Sequence, residues 1–499
     1  MTQWRYIAQR ATTGDFLELE VPFVTRSELT WALSAAGSLK GTISPDTGAM
    51  RAADGRPMFE EWSTLIFAEA DGEIKWGGIV ITSELSSDGK SWNIEAASFA
   101  TYPSGQPYLG AYYGVQQDPA AIIREIWSHL QGFNHGDLGV TVTGSTPIRL
   151  GSTSESKYNT AADDYAAKKR TYVLERDEYT DLRAYATGRG KVRTAQSAAK
   201  VSANRTLSAA KSALVAAKKT KDPAKIAAAT AAVNSAQSAY NAKLADYNAS
   251  VTSYNNADKA ADDQAKVRDA AKKVQDTAKA AMDAAKKVMD ADGGAYKMLW
   301  WEAPDCGSKI ASLAAETPLD FTESHCWNAD KTAIAHTIAV QYPRAGRRRD
   351  DLLFVQGDNI IDVPVPKSNG DSYANSIFGL GAGEGKGMKK MTTSIDDGRL
   401  RRVDVVSAKN VKSSDTLRAI ARDALAHGLA NTTIEQITVR NHDNARIGSW
   451  ALGDDILVQV DVPFIGRLRL WHRIVSWSLT SDSTATLKLA RSDSFTYGK

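Results

Sequence analysis

The sequence predicts a mainly β protein with accessory helices and one long α-helical coiled-coil hairpin inserted into it. Three observations lead there. Short, partly alternating apolar runs broken by Gly, Pro, Asp and Ser occupy the first 150 residues. A central Ala- and Lys-rich stretch repeats every seven residues. After about residue 296, strand-like aromatic and β-branched runs return. A chain of 499 residues with 43% hydrophobic content and 12 Trp has material for two to four packed domains. The expected divisions are 1–154 (β-rich), 155–292 (helical insertion) and 293–499 (β-rich). The first and third are expected to pack together, because a helical hairpin returns the chain to where it left.

In the first division "FLELEV", "SLKGTI" and "SWNIEAASF" read as strands. One helix stands out at "DPAAIIREIWSHLQ": Asp118 caps it, Pro119 suits its first position, and Ile122, Ile123, Ile126, Trp127 and Leu130 form one apolar face. The insertion contains no Trp, Phe or Cys, and no Gly between Gly190 and Gly293. Tyr158, Tyr165, Tyr172 and Tyr179 are heptad-spaced, as are Ile226, Val233, Tyr240, Tyr247 and Tyr254, with Leu244 and Val251 completing an a/d seam. Val267, Val274, Ala281 and Val288 keep the period in a shifted register, which predicts a stutter. Pro223 in "TKDPAK" marks the turn between the helices, and the second helix would run about 100 Å at about 1.5 Å per residue. In the third division "YKMLWWEAPDCGSKIASLAAE" leads from a strand into a helix. "SSDTLRAIARDALAHGLAN" is a second helix, capped by Ser414 or Asp415 and ending near Gly428. The stretch from Asp454 to Asp493 reads as three strands with a turn at Gly466.

Charge is nearly balanced, 61 basic against 58 acidic residues, which argues against a partner gripped electrostatically along its length, such as duplex DNA. The run Arg347, Arg348 and Arg349 is largely neutralised by Asp350 and Asp351. Two cysteines, Cys306 and Cys326, exclude a disulfide framework and read as ordinary thiols rather than one bridge. The N-terminal segment has no apolar secretory core and no stretch has the length of a membrane span, so the expectation is a product made soluble in a cytoplasm.

"GLGAGEGKGMKK" at 379–390 suggests a phosphate loop but fails both spacing tests. Glu384, Lys386 and Met388 stand where a dinucleotide fingerprint needs its third Gly. For a P-loop, Leu380 holds the distal Gly position and Gly387 follows Lys386 where Ser or Thr is required. What remains is the alternation of Gly379, Gly381, Gly383, Gly385 and Gly387, which in an extended chain strips one face bare for a close neighbour. No HExxH or GxSxG motif occurs, and His325, Cys326 and Cys306 make a poor zinc set. The acidic pairs Glu60–Glu61, Asp350–Asp351, Asp396–Asp397 and Asp454–Asp455 read as turn acids, since neighbours in a strand face opposite ways. His129 and His472 read as locally hydrogen-bonded, and Trp300, Trp301, Trp471 and Trp477 as core residues rather than sugar platforms. No catalytic, cofactor or metal residues are assigned.

The stretches "ELTWALSAAGSLKGTISP", "DPAAIIREIWSHLQ", "YPRAGRRRDDLLFVQGDNIID", "SIFGLGAGEGKGMKK" and "WALGDDILVQVDVPFIGRLRLWHRIVSWSLT" together resemble, in order, the minor tail proteins of long-tailed actinobacteriophages. Within that group the likeness is to the tail hub, or tail-associated protein, of the distal tail. The resemblance implies tail-tube-like β-barrel modules, a homotrimer whose paired barrels ring the tube, and a virion location at the tail tip. Implied partners are distal tail and tail tube proteins, the tape measure protein and other minor tail or receptor-binding proteins, with DNA passing through unbound. It implies no enzyme activity and no cofactor. The insertion has no counterpart in the family pattern, and with Lys499 soon after the last strands the expectation is that no large lytic or fibre domain is carried. In such a ring Gly379, Gly381, Gly383, Gly385, Gly387, Arg347, Arg348 and Arg349 are candidate assembly-interface residues. A host-surface adhesin and a cell-envelope-degrading tail enzyme are the competing expectations.

Overall fold

The structure is a computed structural model describing residues 4–492 except 45–49, 369, 372, 384, 409–410, 412 and 430–431. Glu384, one of the residues that fails the fingerprint spacing, and Lys499 lie outside the described residues. The chain forms two compact units, Met1–Thr153 with Asp290–Lys499, and Ser154–Met289.

The first unit is built on a twelve-stranded sheet. Its path runs Arg348–Val355, Asp455–Val462, Gly466–Ser481, Phe23–Ala32, Ser38–Ile43, Trp92–Ser98, Glu73–Leu85, Thr64–Ala70, Trp4–Arg10, Phe16–Glu18. Gly466–Ser481, 16 residues long, splices two strand systems together. Its first half pairs with Asp455–Val462 and its second half with Phe23–Ala32, where Trp477 opposes Trp31. Its other edge takes Thr484–Arg491, which in turn pairs with Gln436–Arg440. The ladder is an open path, so the barrel modules implied by the resemblance are not closed by strands among the described residues. On the C-terminal side the short segment 359–361 lies in the gap: Ile360 bridges both Gln356 and Val439, while Ile361 N donates to the Thr438 carbonyl and the Asn359 carbonyl accepts from Arg440 N, each at 2.9 Å.

Two cores follow from which faces are covered. One face of the sheet buries Tyr6, Ala8, Leu29, Leu39, Ile66, Trp76, Phe354, Ile456, Val458, Ile474 and Leu487 in a single continuous cluster. The other face, carrying Ile7, Leu65, Phe67 and Ile79, is covered by three further elements. These are α1 (Pro119–Gln131), α4 (Cys306–Glu316) and the small sheet Asp320–Trp327, Ile334–Gln341 and Val140–Thr143. That explains why Thr64–Ala70 is buried at every position while Ile334–Gln341 alternates. Asp118 caps α1 by accepting from Ala120 N at 2.9 Å, with Pro119 in the first turn. A third, small cluster packs α5 (Ser414–Leu429) on the strands Ser376–Leu380, Lys390–Ser394 and Val403–Ser407. The side-chain cap of α5 is Ser413, whose Oγ accepts from Thr416 N at 3.4 Å, one residue before the expected cap.

The second unit is a hairpin of α2 (Ser154–Thr220) and α3 (Pro223–Asp292). Asp222 caps α3 through Ala224 N at 3.0 Å, and Lys221 turns the chain at φ +58°. The seam is one uninterrupted heptad on each helix. On α2 it runs from Tyr158 to Tyr179 and continues through Ala186, Arg193, Lys200, Leu207 and Leu214. On α3 it runs from Ile226 to Tyr254 and continues through Ala261, Arg268, Gln275, Met282 and Met289. Aromatic rings on one helix meet long cations on the other: Arg268 over Tyr179 at 4.1 Å, Arg193 over Tyr254 at 4.0 Å, Lys200 over Tyr247 at 3.8 Å. The expected stutter is therefore absent. Val267, Val274, Ala281 and Val288 do not continue the seam but lie exposed beside it. The seam itself passes to residues whose polarity hid it.

Candidate interaction surfaces

The alternating glycines do not form one extended face. The strand ends at Leu380, and Gly385–Gly387 is a helical turn. A Cβ at Gly379 would stand 3.4 Å from Leu417 Cδ1 of α5; one at Gly381 would stand 2.9 Å from the Val411 carbonyl oxygen. These two glycines let α5 of the same chain approach its sheet. Gly383, at φ +122°, closes the turn onto Met388, and space is open around Gly385 and Gly387.

The arginine run divides in the same way. Arg347 and Arg348 are exposed, with the Arg348 guanidinium 3.7 Å over the Trp471 ring. Arg349 is buried and donates to Asp351 at 2.7 and 2.8 Å, to Asp454 at 2.9 Å and to the Ser449 carbonyl at 2.7 Å. The hydrogen-bonded Arg349 guanidinium holds the Asp351 carboxyl down to about 2.

Polar groups in the body are spent on internal joints. Asp320 accepts from Arg473 at 2.5 Å and from Ala345 N at 2.8 Å, while Arg473 also donates to the carbonyls of Ala345 and Gly453. Glu323 accepts from Ser98 Oγ, Phe99 N and Ala100 N at 2.8–2.9 Å, pinning the small sheet to the main one. Beside it His325 Nδ1 and His336 Nδ1 lie 3.0 Å apart between Phe67 and Phe99, so one neutral ring donates to the other. Burial pushes Glu323 up to about 7 and the two imidazoles down to about 3 and about 4.

The other residues singled out in the sequence are placed as follows. Glu60 pairs with Arg56 and Arg10; Asp397 accepts from Tyr373 and Asn375; Asp454 is buried against Arg349. His129 Nε2 accepts from Leu109 N, and His472 Nε2 from Ile434 N, each at 2.9 Å. Both cysteines are free; Cys306 is buried, which pushes its thiol up to about 11, and Cys326 is exposed. Among the described residues no group of three or more His, Cys, Asp or Glu is arranged to hold a metal, and no helix is long and apolar enough to cross a membrane.

What the surface offers instead is apolar. Trp477 stacks on Trp31 at 4.0 Å as expected, but Trp300 and Trp301 are 57% and 55% exposed on a turn that ends in left-handed Ala303. At the hairpin between Asp455–Val462 and Gly466–Ser481, Phe464 is fully exposed at φ +66°, with exposed Ile465 beside it. Trp62 repeats that combination of exposure and positive φ. A bulky side chain in the left-handed region is strained, and such strain concentrates at functional positions. Sequence reasoning missed Phe464 because an apolar pair inside an alternating run reads as core; the Pro463 and Gly466 that bracket it were the available signal.

No family model matches the chain, and no curated protein matches it. Among solved structures it is similar to the tail protein from Neisseria meningitidis MC58, with TM-score 0.45 and 11% identity over 98% of each chain. It is also similar to the 43 kDa tail protein of prophage MuSo2 from Shewanella oneidensis, with TM-score 0.47 and 10% identity over 99% of each chain.

Proposed function

We propose that the chain is a non-enzymatic structural component of a bacteriophage tail tip, a hub that extends or closes the tail tube and forms part of the conduit for genome ejection. The observation that supports this reading best is the splice: one strand, Gly466–Ser481, pairs with both strand systems and joins them in a single sheet. Three such bodies would present six strand systems around an axis, and three of the five quoted tail-hub stretches, those beginning at Glu28, Tyr342 and Trp450, supply strands to these systems. The proposed partners are two further copies of the chain, the tail tube and distal tail proteins, the tape measure, and receptor-binding proteins. Of the candidate interface residues, Gly379, Gly381 and Arg349 face the chain's own interior. The proposed subunit contacts therefore use Arg347, Arg348, Gly385 and Gly387, with Gly383 shaping their loop. Light scattering and particle imaging test the hub: the expected result is a ring of three chains, and a monomer even with tail tube protein present overturns it.

The exposed Trp300–Trp301 pair favours a second reading, an adhesin that stacks these rings on host-surface glycans. The isolated protein would then bind host cells, and W300A/W301A would abolish binding without unfolding it. Equal binding by that variant removes the reading.

A further inference from the structure

The hairpin carries two apolar stripes that its own seam does not use. On α3, Val267, Val274, Ala281 and Val288 each precede a seam residue by one position. On α2, Val173, Thr180, Thr187, Thr194, Val201, Ser208 and Val215 each follow a seam residue by one position. Val173 is half-buried and the other ten are exposed, with the remaining valines between 44% and 58%. Val and Thr form helix less readily than the Ala and Lys used so freely elsewhere in this unit, so their recurrence on open surface costs local stability. The hydroxyls on the α2 stripe are already satisfied. Thr180, Thr187, Thr194 and Ser208 donate to the carbonyls four residues earlier at 2.8–3.0 Å. Each Thr thus offers a neighbour only its methyl group.

The offsets fix where the stripes face. One residue is about 100° around a helix. A step toward the C-terminus on α2 and a step toward the N-terminus on antiparallel α3 turn in the same sense, so the two stripes lie on opposite faces of the hairpin. A unit with complementary surfaces on opposite faces makes a heterologous contact that can repeat around an axis.

We propose that the α3 stripe of one copy of this chain packs against the α2 stripe of a second copy, gathering the hairpins into a bundle. In a closed ring whose axis runs along the hairpins, contacting residues share a height. The seam register, Tyr179 with Arg268 and Arg193 with Tyr254, sets those heights. Val274 then meets Val173 of the neighbour and Val267 meets Thr180, while Thr187, Thr194, Val201, Ser208 and Val215 face Ala260, Ser253, Asp246, Ala239 and Ala232. Six of the seven α2 stripe residues thus face Val, Ala or Ser, which are small enough for close helix packing, and the seventh, Val201, faces Asp246, which Lys243 of its own helix pairs at 3.0 Å. This contact stands independently of the tail reading.

The test is a cysteine pair in the full chain, with Cys326→Ser removing the exposed thiol. V173C/V274C has its two thiols at one height on opposite faces, so a disulfide forms only between copies. Mild oxidation is expected to convert most of the protein to covalent dimers and larger multimers, whereas V173C and V274C alone stay monomeric on denaturing gels. Circular dichroism equal to the parent shows that the helices are intact. Absence of multimers from the double variant, or equal cross-linking by either single variant, overturns the proposal. A trimeric mass without this cross-link would sink the hairpin contact and leave the hub reading standing; cross-linked multimers that never enter a tail would do the reverse.

Discussion

Asp320 and Arg473 sit 2.5 Å apart with 7% and 2% of their side chains exposed, and they join the small sheet to the splice strand. Removing one partner leaves the other charge buried, so Arg473→Met is expected to cost about 3–5 kcal/mol. All 12 tryptophans lie outside 154–289, so urea unfolding followed by Trp fluorescence reports this loss from the body alone. The Glu323, His325 and His336 group makes a pH prediction whose signs oppose. The histidines, depressed to about 3 and about 4, contribute stability above the ordinary imidazole value near 6.5 that is lost as pH falls toward their folded values. Glu323, raised from 4.5 to about 7, contributes stability at low pH that is lost as pH rises between those two values. Between about pH 5 and 6.5 two groups outweigh one, and stability rises with pH. Glu323→Gln removes the opposing contribution and steepens that slope, by at most about 1.4 kcal/mol per pH unit. An unchanged slope would show that the carboxyl does not titrate in this window.

At the level of elements, the glycine loop and the hairpin seam both depend on close approach. Gly381→Ala places a methyl group 2.9 Å from the Val411 carbonyl oxygen, whereas Gly387→Ala enters open space. The first is expected to destabilise by about 1–3 kcal/mol and the second to stay within about 0.5 kcal/mol of the parent in denaturant titrations. In the hairpin, the register sets Ala186 opposite Ala261, both almost fully buried, between layers filled by Tyr, Arg and Lys. Ala186→Phe is expected to force the helices apart and lower the melting temperature of the helical signal. Leu174→Ala, on the open surface, is expected to leave it in place.

For the whole molecule, the proposed contacts with other chains fall on its exposed features. Phe464→Gly relieves left-handed strain of about 1–2 kcal/mol against about 0.4–1 kcal/mol of added unfolded-chain entropy, so the body is expected to gain up to about 1 kcal/mol. If the hairpin tip is an assembly contact, the same variant yields fewer complete particles; full particle yield would show that the tip is idle. The splice strand ties the two strand systems to one fate. Unfolding by the Trp signal is therefore expected to be a single transition, with the hairpin free to melt separately by circular dichroism.

The helices α1, α2, α3 and α5 and the final three strands were legible in the sequence because each rests on local rules: capping, period and turn chemistry. So was the mismatch of the glycine loop with both phosphate-loop spacings, since spacing alone decides that. The seam was legible from Tyr158 to Tyr179 and from Ile226 to Tyr254 but not beyond, because Arg193, Lys200 and Arg268 look like surface residues until a Tyr on the other helix meets them. Tertiary structure alone decided that Gly379 and Gly381 serve the chain's own helix, that Arg349 is buried while Arg347 and Arg348 are not, and that Trp300 and Trp301 face solvent. Each outcome depends on what the far chain brings alongside, and burial is a property of the pair rather than of either residue.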